Sequence, residues 1–89
     1  MYNYEEQKPE LFTENMQETF LAIRDKTHRL IDQSGAAKMG HITDAFGAID
    51  IWSLMACVDR LVELKEISEI LYGGVIEVIA QNRIFVRNK

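Results

Sequence analysis

Apolar positions along the chain change their period twice, and the changes divide it into elements. From Thr13 onward, Met16, Phe20, Ile23, Thr27, Leu30 and Ile31 follow one another at spacings of about four and three. That rhythm lays one stripe along a helix of about five turns. Arg24, Asp25, Arg29 and Asp32 fall off the stripe. Thr13 is placed to cap the helix, with Glu14 in the first turn where the positive end of the helix dipole favours an acid. Ser34–Gly35 ends it, since glycine takes the left-handed conformation that closes helices.

The next stretch, "AAKMG", reads as a loop, and "HIT" as a strand stub centred on Ile42. Thr43 is then the expected N-cap of a short helix, "DAFGAI", held short by Gly47 inside it and by Asp50, the next capping residue. A third helix is predicted from Ile51 to Leu64, with Ile51, Leu54, Met55, Val58, Leu61 and Val62 on its buried stripe. Trp52, Ser53, Ala56, Asp59, Arg60 and Glu63 are left on or near its other face. Beyond it, "EISEILY" and "NRIFVR" have the β-branched and aromatic content and the length of strands. Between them lie Gly73–Gly74 and the apolar run "VIEVIA". The predicted architecture is α+β, three helices with a small antiparallel sheet.

Residues 1–10 carry Glu5, Glu6 and Glu10 against Lys8 and show no such period, so they are expected to form a flexible acidic tail on a single domain of residues 11–89, with Tyr2 and Tyr4 either solvated or docked on the body. At 47% apolar and 27% charged, the 89 residues have the composition of one globular domain, without a disordered or fibrous bias. A domain of this size buries only about 60% of its unfolded surface, and dimerisation is a natural supplement. A lone cysteine, Cys57, forms no internal disulfide, and the first ten residues lack the basic start and apolar middle of a signal peptide. No apolar run approaches the ~20 residues that span a bilayer. The expectation is a cytoplasmic protein with no membrane partner.

The order long helix, stub strand, short helix, helix, strand, glycine loop, strand resembles the winged helix-turn-helix superfamily. The resemblance is carried by "HITDAFGAID" leading into "IWSLMACVDRLVELKEI", with "ISEILYGG" and "AQNRIFVRN" as the hairpin, and it covers residues 13–88. It implies a winged-helix-like fold and, for many members, a third helix that enters the DNA major groove. Two departures stand out. Lys65 occupies the break where many such domains place glycine, and a left-handed lysine there costs on the order of 1 kcal/mol. The second helix is also very short.

Charge weighs against the DNA use. The net charge is −4, whereas phosphate neutralisation by cations supplies most nucleic-acid affinity. On the third helix Ser53 and Arg60 are the candidate base contacts, set against Asp59 and Glu63. At the wing, Arg83, Arg87 and Lys89 are candidate phosphate contacts. In a period-two strand Arg83, Phe85 and Arg87 share one face and Ile84 and Val86 the other. Trp52, with Ala56 and Arg60 beside it, offers the alternative: it either anchors a protein interface, where tryptophan is enriched, or covers the core beneath the short second helix. Val75, Ile76, Val78 and Ile79 extend that surface as an apolar wing.

His28, His41 and Cys57 lack the paired close spacings of zinc ligands, so no metal site is expected. Asp59 and Glu63 would raise rather than lower the Cys57 pKa, so no nucleophile, cofactor or enzymatic activity is expected either. "SGAAKMG" and "YGG" lack the strand–loop–helix context of a phosphate loop and read as turns. The leading expectation is a non-enzymatic regulatory module that acts through protein contacts or self-association. A dimeric DNA-binding regulator is the runner-up. A third reading is an acidic inhibitor or immunity-type protein that attracts a basic site through Glu5, Glu6, Glu10, Glu14 and Glu18.

Overall fold

The long first helix predicted from the stripe is the backbone of the structure, a computed structural model that describes residues 1–71 and 79–88. The elements run α1 (Tyr4–Gln7), a 3-10 turn (Lys8–Phe12), α2 (Glu14–Ser34), β1 (Ala37–Lys38), α3 (Met39–Ala45) and α4 (Ile51–Glu63). They continue with β2 (Ile67–Ile70), a second 3-10 turn (Ala80–Asn82) and β3 (Ile84–Arg87). The fold is α+β, with four α-helices among the described residues where three were predicted, and a small three-stranded antiparallel sheet.

Helix α2 starts after Thr13 and closes at Gly35, whose φ of 82° is the left-handed turn anticipated there. Thr13 does not cap through its side chain; its hydroxyl donates instead to the Glu10 carbonyl at 2.9 Å. Ile23, Thr27 and Ile31 of the stripe are buried. The Thr27 hydroxyl is satisfied inside by donating to the Ile23 carbonyl at 2.7 Å, as a buried polar group requires.

The middle of the chain departs from the sequence expectation. The strand stub is Ala37–Lys38, and His41, Ile42 and Thr43 lie inside α3. The Thr43 hydroxyl donates back to the Gly40 carbonyl at 2.9 Å rather than capping a helix at Asp44. Two packing facts explain the shift. Met39 and Ile42, three positions apart, are both fully buried, which a helix achieves and an alternating strand does not. Gly40 also lets α3 approach the second 3-10 turn, since a Cβ there would sit 3.3 Å from the Gln81 carbonyl oxygen.

Asp50 caps α4 as predicted, accepting from the Ser53 N–H at 3.1 Å. The other end closes with Lys65 at φ 62°. There the Lys65 and Glu66 N–H groups donate to the Val62 and Leu61 carbonyls, each at 3.0 Å, the pairing of a Schellman turn. A side chain in that conformation is strained. Lys65→Gly is therefore expected to raise stability by about 0.5–1 kcal/mol, the relieved strain outweighing glycine's extra chain entropy, as measured by urea unfolding.

The strand order is β1–β3–β2. Ala37 pairs with Phe85 on one side of the central strand, and Glu69 pairs with Phe85 on the other. The face carrying Ala37, Ile67 and Phe85 packs onto the helices, and these join Ile23, Met39, Ile42, Leu54, Val58 and Leu61 in one core. α4 runs through the middle: Leu54, Met55, Ala56, Cys57 and Val58 are five successive buried residues.

The N-terminal residues differ most from the expected tail. Asn3 caps α1 by accepting from the Glu6 N–H at 3.2 Å, and Leu11 of the following turn is buried in the core. This segment lies against α4.

Candidate functional site

The third helix of the sequence reading is α4, and its outward side is built from Trp52, Asp59, Arg60 and Glu63. Residues 2–8 lie across it. The Tyr2 hydroxyl donates to Asp59 at 2.5 Å, and the Tyr4 hydroxyl donates to Glu63 at 2.8 Å. Lys8 Nζ donates to the other Glu63 oxygen at 2.9 Å. The Tyr2 ring meets Trp52 edge to face, with ring centroids 6.4 Å apart. Partial burial and the neighbouring carboxylates push both phenol pKa values well above their ordinary range, so Tyr2 and Tyr4 stay neutral donors.

Glu63 receives three donors, the third being Arg60 Nη1 at 2.6 Å. Hydrogen bonds from Lys8, Arg60 and Tyr4 hold its carboxyl at about 2, against an ordinary 4.5. A carboxyl whose pKa is lowered by docking favours the docked segment above the undocked pKa, and loses that contribution as pH falls towards the docked one. Lys8 and Tyr4 come from residues 2–8 while Arg60 stays on α4, so the contact between residues 2–8 and α4 is expected to weaken below pH 4.5, as pH falls towards about 2. Trp52 fluorescence should follow the change in wild type, and Glu63→Gln should flatten the profile; superimposable profiles would contradict the assignment.

Beside this contact sits a part-buried ion cluster. Arg83 Nη2 donates to Asp59 at 2.6 Å and to Glu69 at 2.8 Å, and Arg83 Nε donates to Glu69 at 3.0 Å. Burial works against the charged guanidinium, but the hydrogen bonds and charges of Glu69 and Asp59 outweigh it, so its pKa lies above the ordinary arginine value. Asp59 thus joins β3, through Arg83, to the N-terminal segment, through Tyr2. An open cleft of about 560 Å³ remains here, lined by residues that include Tyr4, Met55, Val62, Glu69 and Arg83.

The sequence-selected residues are spread over several environments. Trp52 is exposed, with 40% of its surface accessible, and Ile79 is exposed as well. Ala56 is fully buried, which corrects its assignment to the outward side: α4 is covered on more of its circumference than an amphipathic surface helix. Arg60 is clamped to Glu63 and stacks over the Phe12 ring at 5.3 Å. Ser53 is occupied with Asp50, its hydroxyl lying 3.4 Å from the carboxylate.

The proposed basic strip is corrected too. Arg83, Phe85 and Arg87 do share a face, but Phe85 is fully buried on it and Arg83 is tied to Asp59 and Glu69. Arg87 is exposed and paired with Asp32 at the end of α2, at 2.6 Å. The inward part of the strip packs on the helices, and acids of α2, α4 and β2 pair with its two arginines. Val75, Ile76, Val78 and Lys89 lie outside the described residues, as does Tyr72–Gly74 of the glycine turn. Glu5, Glu6, Glu10, Glu14 and Glu18 are all exposed.

Sequence reasoning left docking or solvation open for Tyr2 and Tyr4, and missed their partners on α4 and the part played by Lys8. The spacing of these three, two and then four residues, beside α4 carboxylates four apart, was the available signal, but nothing local ties the two segments together. It also missed an apolar groove of about 280 Å³ on another side of α4, lined by Leu11, Phe12, Phe20, Leu21, Arg60 and Leu64 among others.

No group of His, Cys, Asp and Glu among the described residues is placed to hold a metal, and no helix among them is long and apolar enough to cross a membrane. Cys57 is buried at the core, which pushes its thiol up to about 11. Such a thiol carries almost no thiolate near neutrality. No protein-family model matches the chain, and comparison with curated proteins and with solved structures likewise gives no match.

Proposed function

We propose that this chain is a winged-helix-like, non-enzymatic binding module that works through protein contacts rather than by reading DNA. The run α2–β1–α3–α4–β2–β3 supports the winged-helix part, because it is the element order that the sequence resemblance implies. One observation carries the functional part: among the described residues, the arginines that a DNA reading uses are committed within the chain. Arg60 is bound to Glu63, Arg83 to Asp59 and Glu69, and Arg87 to Asp32. Moving any of them to a phosphate would leave a carboxylate behind, next to the DNA backbone.

What α4 and its surroundings offer outward is apolar. Ile51 and Trp52 at one end, and Leu64 with Phe12 and Leu21 at the other, are exposed. Exposed aromatic and aliphatic side chains around engaged charges are the composition of a protein interface.

The test pairs two measurements. Titration with mixed-sequence duplex DNA at low salt is expected to show no binding. Micromolar binding that falls by ~10³ or more at moderate salt, as release of several counterions requires, would overturn the proposal. In affinity capture with the full chain as bait, Trp52→Ala is expected to lose a partner that the wild type retains, with unchanged circular dichroism.

A further inference from the structure

We infer that the outward face of α4, with the cleft beside it, is a docking surface for a protein segment, and that residues 2–12 are an occupant in cis which that partner displaces. The inference rests on the protein-contact reading and gives it a place and a partner chemistry.

The attachment is of a kind that can exchange. No residue of α1 is buried. The backbone hydrogen bonds of the segment are local, from Gln7 N–H to the Asn3 carbonyl and from Thr13 N–H to the Glu10 carbonyl. What joins it to α4 and the core is three side-chain hydrogen bonds, the Tyr2–Trp52 ring contact, the stack of Arg60 over Phe12, and apolar packing by the half-buried Tyr2 and Tyr4 and the buried Leu11. Side-chain ion pairs and hydrogen bonds at partly exposed sites are individually weak, and a partner that supplies the same donors loses nothing by replacing them. The segment leads into α2 through Thr13, a single extended residue at φ −78°, ψ 153°.

The fit is also incomplete. The cleft of about 560 Å³ stays open beside the segment, with Met55 and Val62 as its apolar lining and Asp59, Glu63 and Glu69 as carboxylates. Tyr2, Tyr4 and Glu5 of the segment line one side of it and leave it unfilled. An occupant with the same polar pattern and a further apolar group reaching into the cleft would bury more of that lining.

The partner's chemistry can be read from the present occupant. It is a peptide segment with an aromatic ring to set against Trp52, hydroxyl donors for Asp59 and Glu63, and one cation for Glu63. In this chain that pattern is Tyr2 and Tyr4, two residues apart, followed by Lys8. A polyanion such as DNA supplies no cation, and its phosphates would meet three carboxylates whose arginine partners, Arg60 and Arg83, are already engaged.

The experiment uses the full chain and its one tryptophan, Trp52, as reporter. The variant Tyr2→Ala/Tyr4→Ala/Lys8→Ala removes the donors of the segment without altering α4. The probe is a synthetic peptide with the sequence of residues 2–12, and the control peptide has alanine in place of both tyrosines. Saturable binding of the probe to the triple variant is expected, seen as a shift in Trp52 emission. The wild type should bind it at least ~10-fold more weakly, because the tethered segment competes at an effective concentration in the millimolar range. Adding Glu63→Gln to the triple variant should weaken the probe by ~5-fold or more, and the control peptide should not bind.

Four results would overturn the inference: an unfolded triple variant, which would make the segment part of the fold; a folded one that ignores the probe; equal binding to wild type and variant; or binding indifferent to Glu63→Gln. Any of these leaves the protein-contact reading to stand on the groove around Phe12 and Leu64. DNA binding in the low-salt titration would instead remove that reading, whatever the peptide does.

Discussion

Arg83→Met is expected to destabilise the protein by about 2–4 kcal/mol, somewhat less than removing one partner from a fully buried charge cluster costs. Its guanidinium is 11% exposed, and the Asp59 and Glu69 side chains it joins are 16% and 14% exposed. Three donor contacts of 2.6–3.0 Å hold them together. Methionine keeps much of the stem volume but leaves two carboxylates facing each other in a poorly hydrated place. A domain of this size is stable by only ~5–10 kcal/mol, so the variant should lose a large share of its urea midpoint.

Two companion variants separate charge from packing. Arg83→Lys restores a cation but cannot span two carboxylates or spread over the Phe85 ring, which the guanidinium covers at 5.1 Å. It should recover less than half of the loss. Asp59→Asn with Glu69→Gln in the Arg83→Met background removes the unpaired charges, and should recover more than the lysine does. A loss below about 1 kcal/mol for Arg83→Met would mean that the cluster is solvated and adds little.

The same cluster shows what a sequence can and cannot disclose. The ends of α2 and α4 were legible because local chemistry sets them: a stripe of period 3.6, Gly35 after the last turn, Asp50 before the first. The strained Lys65 was legible for the same reason, as a residue other than glycine at a helix-to-strand break. Period two likewise showed that Arg83, Phe85 and Arg87 share a side of β3. It could not show which side is inward. Charge pointed to solvent, but Asp59 and Asp32 wait on α4 and α2 to pair with those arginines, and they lie 24 and 55 residues away from them in the chain.

The N-terminal segment failed to show for a related reason. Tyr2 and Tyr4 find their acceptors 57 and 59 residues on, so nothing within ten residues distinguishes them from solvated side chains. Their docking also hides how much of α4 is covered, which is why Ala56 was placed outside. In α3 the error was one of period. "HIT" is short and β-branched, and three residues cannot tell a strand from a helix until Met39 and Ile42 are both known to be buried.

Phe85→Ala tests the inward assignment of the central strand, with an expected cost of about 3–5 kcal/mol. Phe85 has no accessible surface and packs in the core with Ile23, Met39 and Leu61, flanked across the sheet by Ala37 and Glu69. Truncation removes a ring from the centre of a small core, and the small Ala37 beside it cannot fill the space. Phe85→Leu retains most of the volume and should cost under ~1.5 kcal/mol. Because Arg83 lies over the ring, the two losses should not add: a double-mutant cycle of Phe85→Ala with Arg83→Met is expected to show a coupling of ~0.5 kcal/mol or more. If the basic strip faced solvent instead, Phe85→Ala would be nearly neutral, while Val86→Ala on the opposite side of β3 would carry the large loss. Urea unfolding of these two single variants therefore decides which face of the sheet packs on the helices. With it is decided whether Arg83 belongs to the cluster that positions the α4 face or is available to a partner.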